Sequence, residues 1–276
     1  MNKEPTAARP AKAKEPFSWR REARQWAVLI LIVLGIHSFI AKPFYIPSES
    51  MMPGLLVGDR LIVSKFPYGY SYLSPSLPIL PHIPGRLFGR VPERGDVIVV
   101  KSPSDGADWI KRVIGVGGDT VELRGGVVWL NGKPIPRERI EPVEIRVSPN
   151  TDCMYLPQLR DVDLDGTPVC RFPAFRETLP NGRSYVTLDL APTDRDDRPP
   201  VTVPEGFLFL MGDNRDNSSD SRVPPEIGGL GLVPVENIVG RAEFTTFSLD
   251  GSATLNPLTW FGSLRGDRAF VSLRKD

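Results

Sequence analysis

The longest apolar run lies near the start of the chain, where Trp26 to Ala41 reads WAVLILIVLGIHSFIA and carries no formal charge while His37 is neutral. Arg20, Arg21 and Arg24 precede it and Lys42 follows. A helix apolar on every side belongs either in a membrane or in a soluble core, and the basic leader favours the membrane. The run is short against the ~20 residues that span a bilayer, and snorkelling of Arg24 and Lys42 supplies the missing length. A cleavable leader has the same outline, but a cut after Ala41 would put bulky Phe39 two residues upstream, where a small side chain is needed. Segment 26–42 is therefore expected to stay as a single transmembrane anchor. Lys3, Arg9, Lys12, Lys14 and the three arginines outweigh Glu4, Glu15 and Glu22, which predicts a disordered cytoplasmic tail over 1–25 and an extracytoplasmic remainder.

Beyond the anchor the pattern shortens to strands: Asp59 to Lys65, Asp96 to Lys101, Trp109 to Val116, Thr120 to Leu123, Val127 to Leu130, Ser184 to Leu188, Phe207 to Met211 and Ile238 to Phe247. Asn131-Gly132 between VVWL and KPI predicts a hairpin turn, since both central residues need positive φ. No long amphipathic helix is predicted after the anchor. Residues 134–200 are turn-rich and charged, and read as an inserted subdomain or long excursion dividing one β core into 43–133 and 201–276. The expected class is mainly β with one N-terminal membrane helix, and the 25 glycines and 29 prolines suit its many turns.

Charge narrows the partners. With 34 basic and 33 acidic side chains the net charge is +1, so no overall field draws in nucleic acid. The two cysteines, Cys153 and Cys170, cannot make a four-cysteine zinc site, and whether they bridge is left open by the sequence. Two other matches fail. Asp161 to Gly166 opens like a calcium loop but has Phe172 where its final glutamate belongs, and Gly115, Gly117 and Gly118 lack the last glycine of a dinucleotide fingerprint.

Histidine scarcity constrains the chemistry most. His37 falls in the anchor and His82 in a proline-rich stretch, so a serine nucleophile here would need a lysine base, desolvated enough to lose its proton. Lys111 lies in the apolar strand DWIKRVIGVGGD, where alternation puts it on the face of Trp109 and Val113. Ser48 and Ser50 lie in IPSESMMPGLL just after the anchor, and GDNRDNSSDSR (Gly212 to Arg222) closes the apolar run FLFLM. Each motif alone reads better as a solvated lysine, a capping loop or an Asx-rich turn, and the case depends on their occurring together.

Taken in order, PSESMMPGLLVGD, GDVIVVKSP with IKRVIGVGGD, and GDNRDNSSDSR with VPVENIVGRA resemble signal peptidase I of bacteria, a family of membrane-bound serine endopeptidases with a serine-lysine dyad. The resemblance covers roughly Ala41 to Lys133 and Pro204 to Glu243. It implies a signal-peptidase-like catalytic β core that cuts exported preproteins after Ala-x-Ala-like sites at the bacterial inner membrane, with no cofactor, metal or nucleic acid. It also implies Ser50 as nucleophile, Lys111 as base, Ser48 in the oxyanion hole, Ser218 orienting the lysine, and Asp220 with Arg222 as a supporting ion pair. Phe44, Ile46, Met51, Leu55, Trp109 and Ile110 fall where the family lines its substrate pockets, and Glu49 stands where relatives often have glycine. Two rival readings remain: a related Ser-Lys enzyme such as a self-cleaving repressor or specialised transfer-system peptidase, and a tethered scaffold without chemistry. The anchor in place of a DNA-reading helix pair argues against the repressor, and the intact serines and lysine argue against the scaffold.

Overall fold

A computed structural model describes residues 18–77 and 80–274, so most of the expected cytoplasmic tail lies outside the described residues. The chain runs α1 (Trp19–Phe39), β1 (Ala41–Tyr45), β2 (Asp59–Ser64), β3 (Val97–Lys101), β4 (Asp108–Val116), β5 (Thr120–Arg124), β6 (Val127–Leu130), β7 (Lys133–Pro134), β8 (Arg137–Arg146), β9 (Arg160–Val162), β10 (Pro168–Thr178), β11 (Ser184–Leu188), β12 (Arg198–Thr202), β13 (Phe207–Met211), β14 (Val233–Pro234) and β15 (Ile238–Ser248). A short α2 (Leu258–Gly262) follows near the end.

Helix α1 is long and apolar enough to cross a membrane, but its limits differ from the expected 26–42. It starts at Trp19 because Arg20, Arg21, Glu22 and Ala23 are good helix formers that an apolar pattern does not register. It stops at Phe39 because Ala41 and Lys42 pair with Ser64 and Val63 of β2. Pro43 lies within β1, and β1 is accordingly an edge strand, where a missing N–H can be tolerated.

The central sheet has the order β1-β2-β15-β3-β4-β13-β14 with antiparallel neighbours throughout. Alternation along β3 feeds two cores: Val97 and Val99 join Leu61, Val63 and Ile110 on one face, while Ile98 and Val100 join Val113, Leu208 and Leu210 on the other. With both faces covered, most of β4 is buried, including Lys111 and Arg112. A second sheet, β12-β5-β6-β7, carries the expected hairpin, with φ of 54° at Asn131 and 76° at Gly132.

Of its two readings, the insertion is the subdomain and not the long excursion. Its two longest strands, β8 and β10, pair antiparallel and are joined by β11 and β9 into a third sheet. The alternation in RERIEPVEIR is obscured because only Ile145 of that strand is buried. The expected boundary at residue 200 also cuts through β12, which pairs with β5 of the core. Cys153 and Cys170 are joined in a disulfide with Cα atoms 5.2 Å apart, inside a cluster with Met52, Leu56, Phe172 and Leu188. The C-terminal segment returns to the core through Arg268, whose guanidinium holds the Asp59 carboxylate and the Gly54 carbonyl.

Candidate active site

The turn between β1 and β2 brings Ser48 and Ser50 to the mouth of a groove of about 490 Å³. Its backbone is fixed from across the molecule. The Asn214 N–H donates to the Ser50 carbonyl at 3.1 Å, and the Asn214 side-chain amide donates to the Glu49 carbonyl at 3.2 Å. Met51 and Leu55 point the other way, each about 1% exposed, and pack with Ile46 and Ile110 beneath the turn. They anchor the turn and do not line the groove. Phe44, Ile46, Trp109 and Ile110 do line it, joined by Tyr45, Pro47 and Val99.

Strand β4 brings Lys111 to the same place. Its ammonium donates to Ser50 Oγ at 2.8 Å and to the Ile110 carbonyl at 3.0 Å, with the Trp109 ring centroid 5.4 Å away. Burial pulls the Lys111 pKa down to about 8, opposed by the Asp220 and Asp213 carboxylates and assisted by Arg222. Both carboxylates would hold the ammonium charged if they faced it alone, but each is engaged by an arginine. Arg222 donates through Nε and Nη2 to the two Asp220 oxygens at 2.9 Å each, and Arg112 grips Asp213 in the same way at 2.8 Å each. The expected Asp220–Arg222 pair is thus present and fully buried, whereas the Arg112–Asp213 pair was not foreseen.

Ser48 Oγ lies 3.4 Å from Ser50 Oγ. The expected contact of Ser218 with the lysine is not formed. Ser218 Oγ is buried beside the groove without a hydrogen bond of normal geometry, although it lies close enough to Asp220 to help hold that carboxylate ionised. Close packing explains Gly212: a Cβ there would sit 2.4 Å from the Ser50 carbonyl oxygen and 2.3 Å from Ser218 Oγ. Neither histidine lines the groove, and His82 hydrogen-bonds Glu236 at 3.1 Å instead.

Sequence reasoning also missed the contribution of the insertion. Arg195 reaches the groove and donates to the Ser218 carbonyl at 3.0 Å. Glu177 on β10 forms a fully buried ion pair with Arg215 of the loop after β13, with the Tyr185 hydroxyl donating to the same carboxylate at 3.0 Å. Charged residues in a turn-rich stretch give no sign of such partners, because both are supplied by distant segments. Glu49 donates nothing to the dyad; its carboxylate accepts from the Asn217 amide at 2.8 Å, and burial raises its pKa. Among the described residues, Asp189, Asp196 and Asp216 form one group with metal-ligand spacing. Each is already held by protein donors: Asp216 by the Leu190 and Ala191 amides, Asp196 by Thr193, and Asp189 by Arg137.

Residues 19–247 match the family described as signal peptidase, peptidase S26. A signal peptidase I of Rickettsia typhi is 38% identical over 238 residues, covering 83% of this chain and 80% of that protein. One from Rickettsia akari is 38% identical over 266 residues, 90% of each chain. A crystal structure of a signal peptidase I from Enterococcus faecalis is 25% identical, with a TM-score of 0.29, over 55% of this chain and 97% of that one.

Proposed function

Since the chain belongs to the signal peptidase S26 family, we propose that it removes signal peptides from exported proteins with Ser50 as nucleophile and Lys111 as general base. The observation that carries this reading is the 2.8 Å contact between Lys111 Nζ and Ser50 Oγ at the groove. In the reacting form the amine is neutral, so the hydrogen bond reverses: the Ser50 hydroxyl donates to the nitrogen lone pair while an N–H stays on the Ile110 carbonyl. Lys111 takes the proton as Ser50 Oγ attacks the scissile carbonyl, and returns it to the departing amine. It then activates the water that hydrolyses the acyl-enzyme. Negative charge on the carbonyl oxygen is met by Ser48 Oγ and by the Ser50 N–H, whose peptide is held before reaction by the Asn214 clamp.

The apolar walls of Phe44, Ile46, Trp109 and Ile110 support a preference for small side chains before the cut, at the positions of an Ala-x-Ala site. With α1 as anchor and the basic leader on the cytoplasmic side, the groove would open outside the inner membrane. The test is cleavage of a purified precursor by the full chain, with Ser50→Ala as control. Cleavage at a single site after a small residue, lost in Ser50→Ala, supports the reading, and an equally active Ser50→Ala protein overturns it. Protease added outside vesicles of native orientation should digest the β domain, and its protection would reverse the topology.

A further inference from the structure

The topology gathers cations at one edge of the central sheet. Strands β2 and β3 run parallel with antiparallel β15 between them, so Lys65, just beyond the end of β2, and Lys101, at the end of β3, emerge at the same edge. Strand β1 begins there, with Lys42 its second residue, and β4 begins there with Asp108. Asp108 is committed to Lys101 at 2.9 Å. Lys65 is only 3% exposed, and no described residue accepts a hydrogen bond from its ammonium. Arg86 also faces this edge, but its guanidinium is spent on the Tyr68, Gly69 and Ile238 carbonyls and lies near Glu236. Three ammonium groups therefore converge against one carboxylate. Burial brings the Lys65 pKa down to about 8, with Lys42 lowering it further and Asp108 opposing.

This edge is also where the chain leaves the anchor. The apolar part of α1 ends at Phe39 with Lys42 just beyond, so Phe39 comes out at a membrane interface. The Lys65 N–H donates to the Ile40 carbonyl at 2.9 Å, which puts that residue one step from the helix end. The excursion after β2 is pinned to the same place: the Tyr70 hydroxyl donates to the Phe39 carbonyl at 2.9 Å, and the Ser76 N–H to Ser38 Oγ at 2.9 Å. That excursion exposes Leu77, Leu80, Leu87 and Phe88. An apolar fringe beside clustered lysines at the end of a membrane helix fits a bilayer surface, with its acyl chains on one side and its phosphates on the other.

We propose that Lys42, Lys65 and Lys101 form a binding site for the phosphate of an anionic lipid headgroup, in the leaflet against which the β domain rests. The phosphate accepts from the Lys65 ammonium, which no described residue holds, and its charge balances the cluster.

The test uses the full chain in nanodiscs of phosphatidylcholine with phosphatidylglycerol, reading by native mass spectrometry the ratio of the two lipids retained. The wild type should favour phosphatidylglycerol, and Lys42→Gln and Lys65→Met should each lower the ratio about fivefold. Lys65→Arg should preserve it. If Lys65→Met proves unfolded by circular dichroism, Lys42→Gln and Lys101→Gln carry the test alone. The proposal is overturned if the wild type shows no preference, or if the preference survives the folded lysine variants. It is equally overturned if only replacement of Arg20, Arg21 and Arg24, at the other end of α1, removes the preference. Displacement of the lipid by inorganic phosphate alone would make this a free-anion site and refute the lipid assignment.

Discussion

Lys111 Nζ lies 2.8 Å from Ser50 Oγ across 61 residues of chain, in a position where burial holds the amine near neutrality at about pH 8. Lys111→Met and Ser50→Ala should each abolish nearly all cleavage, with the double variant no worse, because members of one catalytic unit are not additive. Wild-type kcat/KM should rise with pH through about 8 as the ammonium deprotonates. A rise centred near the ~10.4 of a free lysine would exclude Lys111 as the base.

The same shift bears on stability. The folded pKa lies below the unfolded one, so between about 8 and the ~10.4 of a free lysine the unfolded chain binds more protons, and stability increases with pH across that window. Below it the cost of the buried ammonium is fully present. Lys111→Met should therefore be the more stable protein at neutral pH, by on the order of 3 kcal/mol in urea unfolding. An equal or lower stability would show that the charge is better solvated than its burial indicates.

Asp213 favours the charged form of Lys111 while gripped by Arg112. Asp213→Asn removes the negative charge and leaves the guanidinium, and both changes lower the lysine pKa. The acid limb of the pH–rate profile should move to lower pH, with a loss of stability of up to ~3–5 kcal/mol from the broken buried pair. An unmoved limb would mean that the pair acts on packing alone.

Leu55 and Ile110 lie in one apolar cluster, but only Ile110 faces the groove. Leu55→Ala should lose ~2–5 kcal/mol of stability with its substrate preference intact. Ile110→Ala should relax the selection for small residues before the cut by ~10-fold or more, measured as kcat/KM for precursors bearing Ala or Val there. Altered preference in Leu55→Ala would place Leu55 in the pocket after all.

A methyl group at residue 212 would meet the Ser50 carbonyl, which is backbone and cannot swing aside. Gly212→Ala should fold, judged by circular dichroism, yet lose kcat by ~100-fold or more, since displacing a nucleophile by ~1 Å has that effect. Full activity would show that the turn can yield.

The Cys153–Cys170 bridge closes a loop with a sequence separation of 17 residues. Replacing both cysteines by alanine should destabilise the protein by ~3 kcal/mol in urea unfolding, the chain-entropy value for a loop of this size. No change would mean that the cluster around Phe172 holds the segment unaided.

What the sequence determined by itself was local. Apolar continuity marked the anchor, strand-like runs marked seven strands of the core and β11 of the insertion, Asn131-Gly132 marked its turn, and two unusable histidines pointed from a serine to Lys111. These features are carried within a few neighbouring residues. Tertiary structure decided whatever depends on partners from distant segments. Met51 and Leu55 became core because the turn that presents Ser50 to the groove must bury its other face. Ser218 lines the same groove as Lys111 yet makes no hydrogen bond to it, while Asp220, two residues on, is committed to Arg222. Strands β8 and β10 of the insertion were hidden by charges whose burial partners, such as Arg215 for Glu177, come from a distant loop. Burial of a charge is settled by which opposite charge meets it, and that meeting is a property of the fold, not of the local pattern.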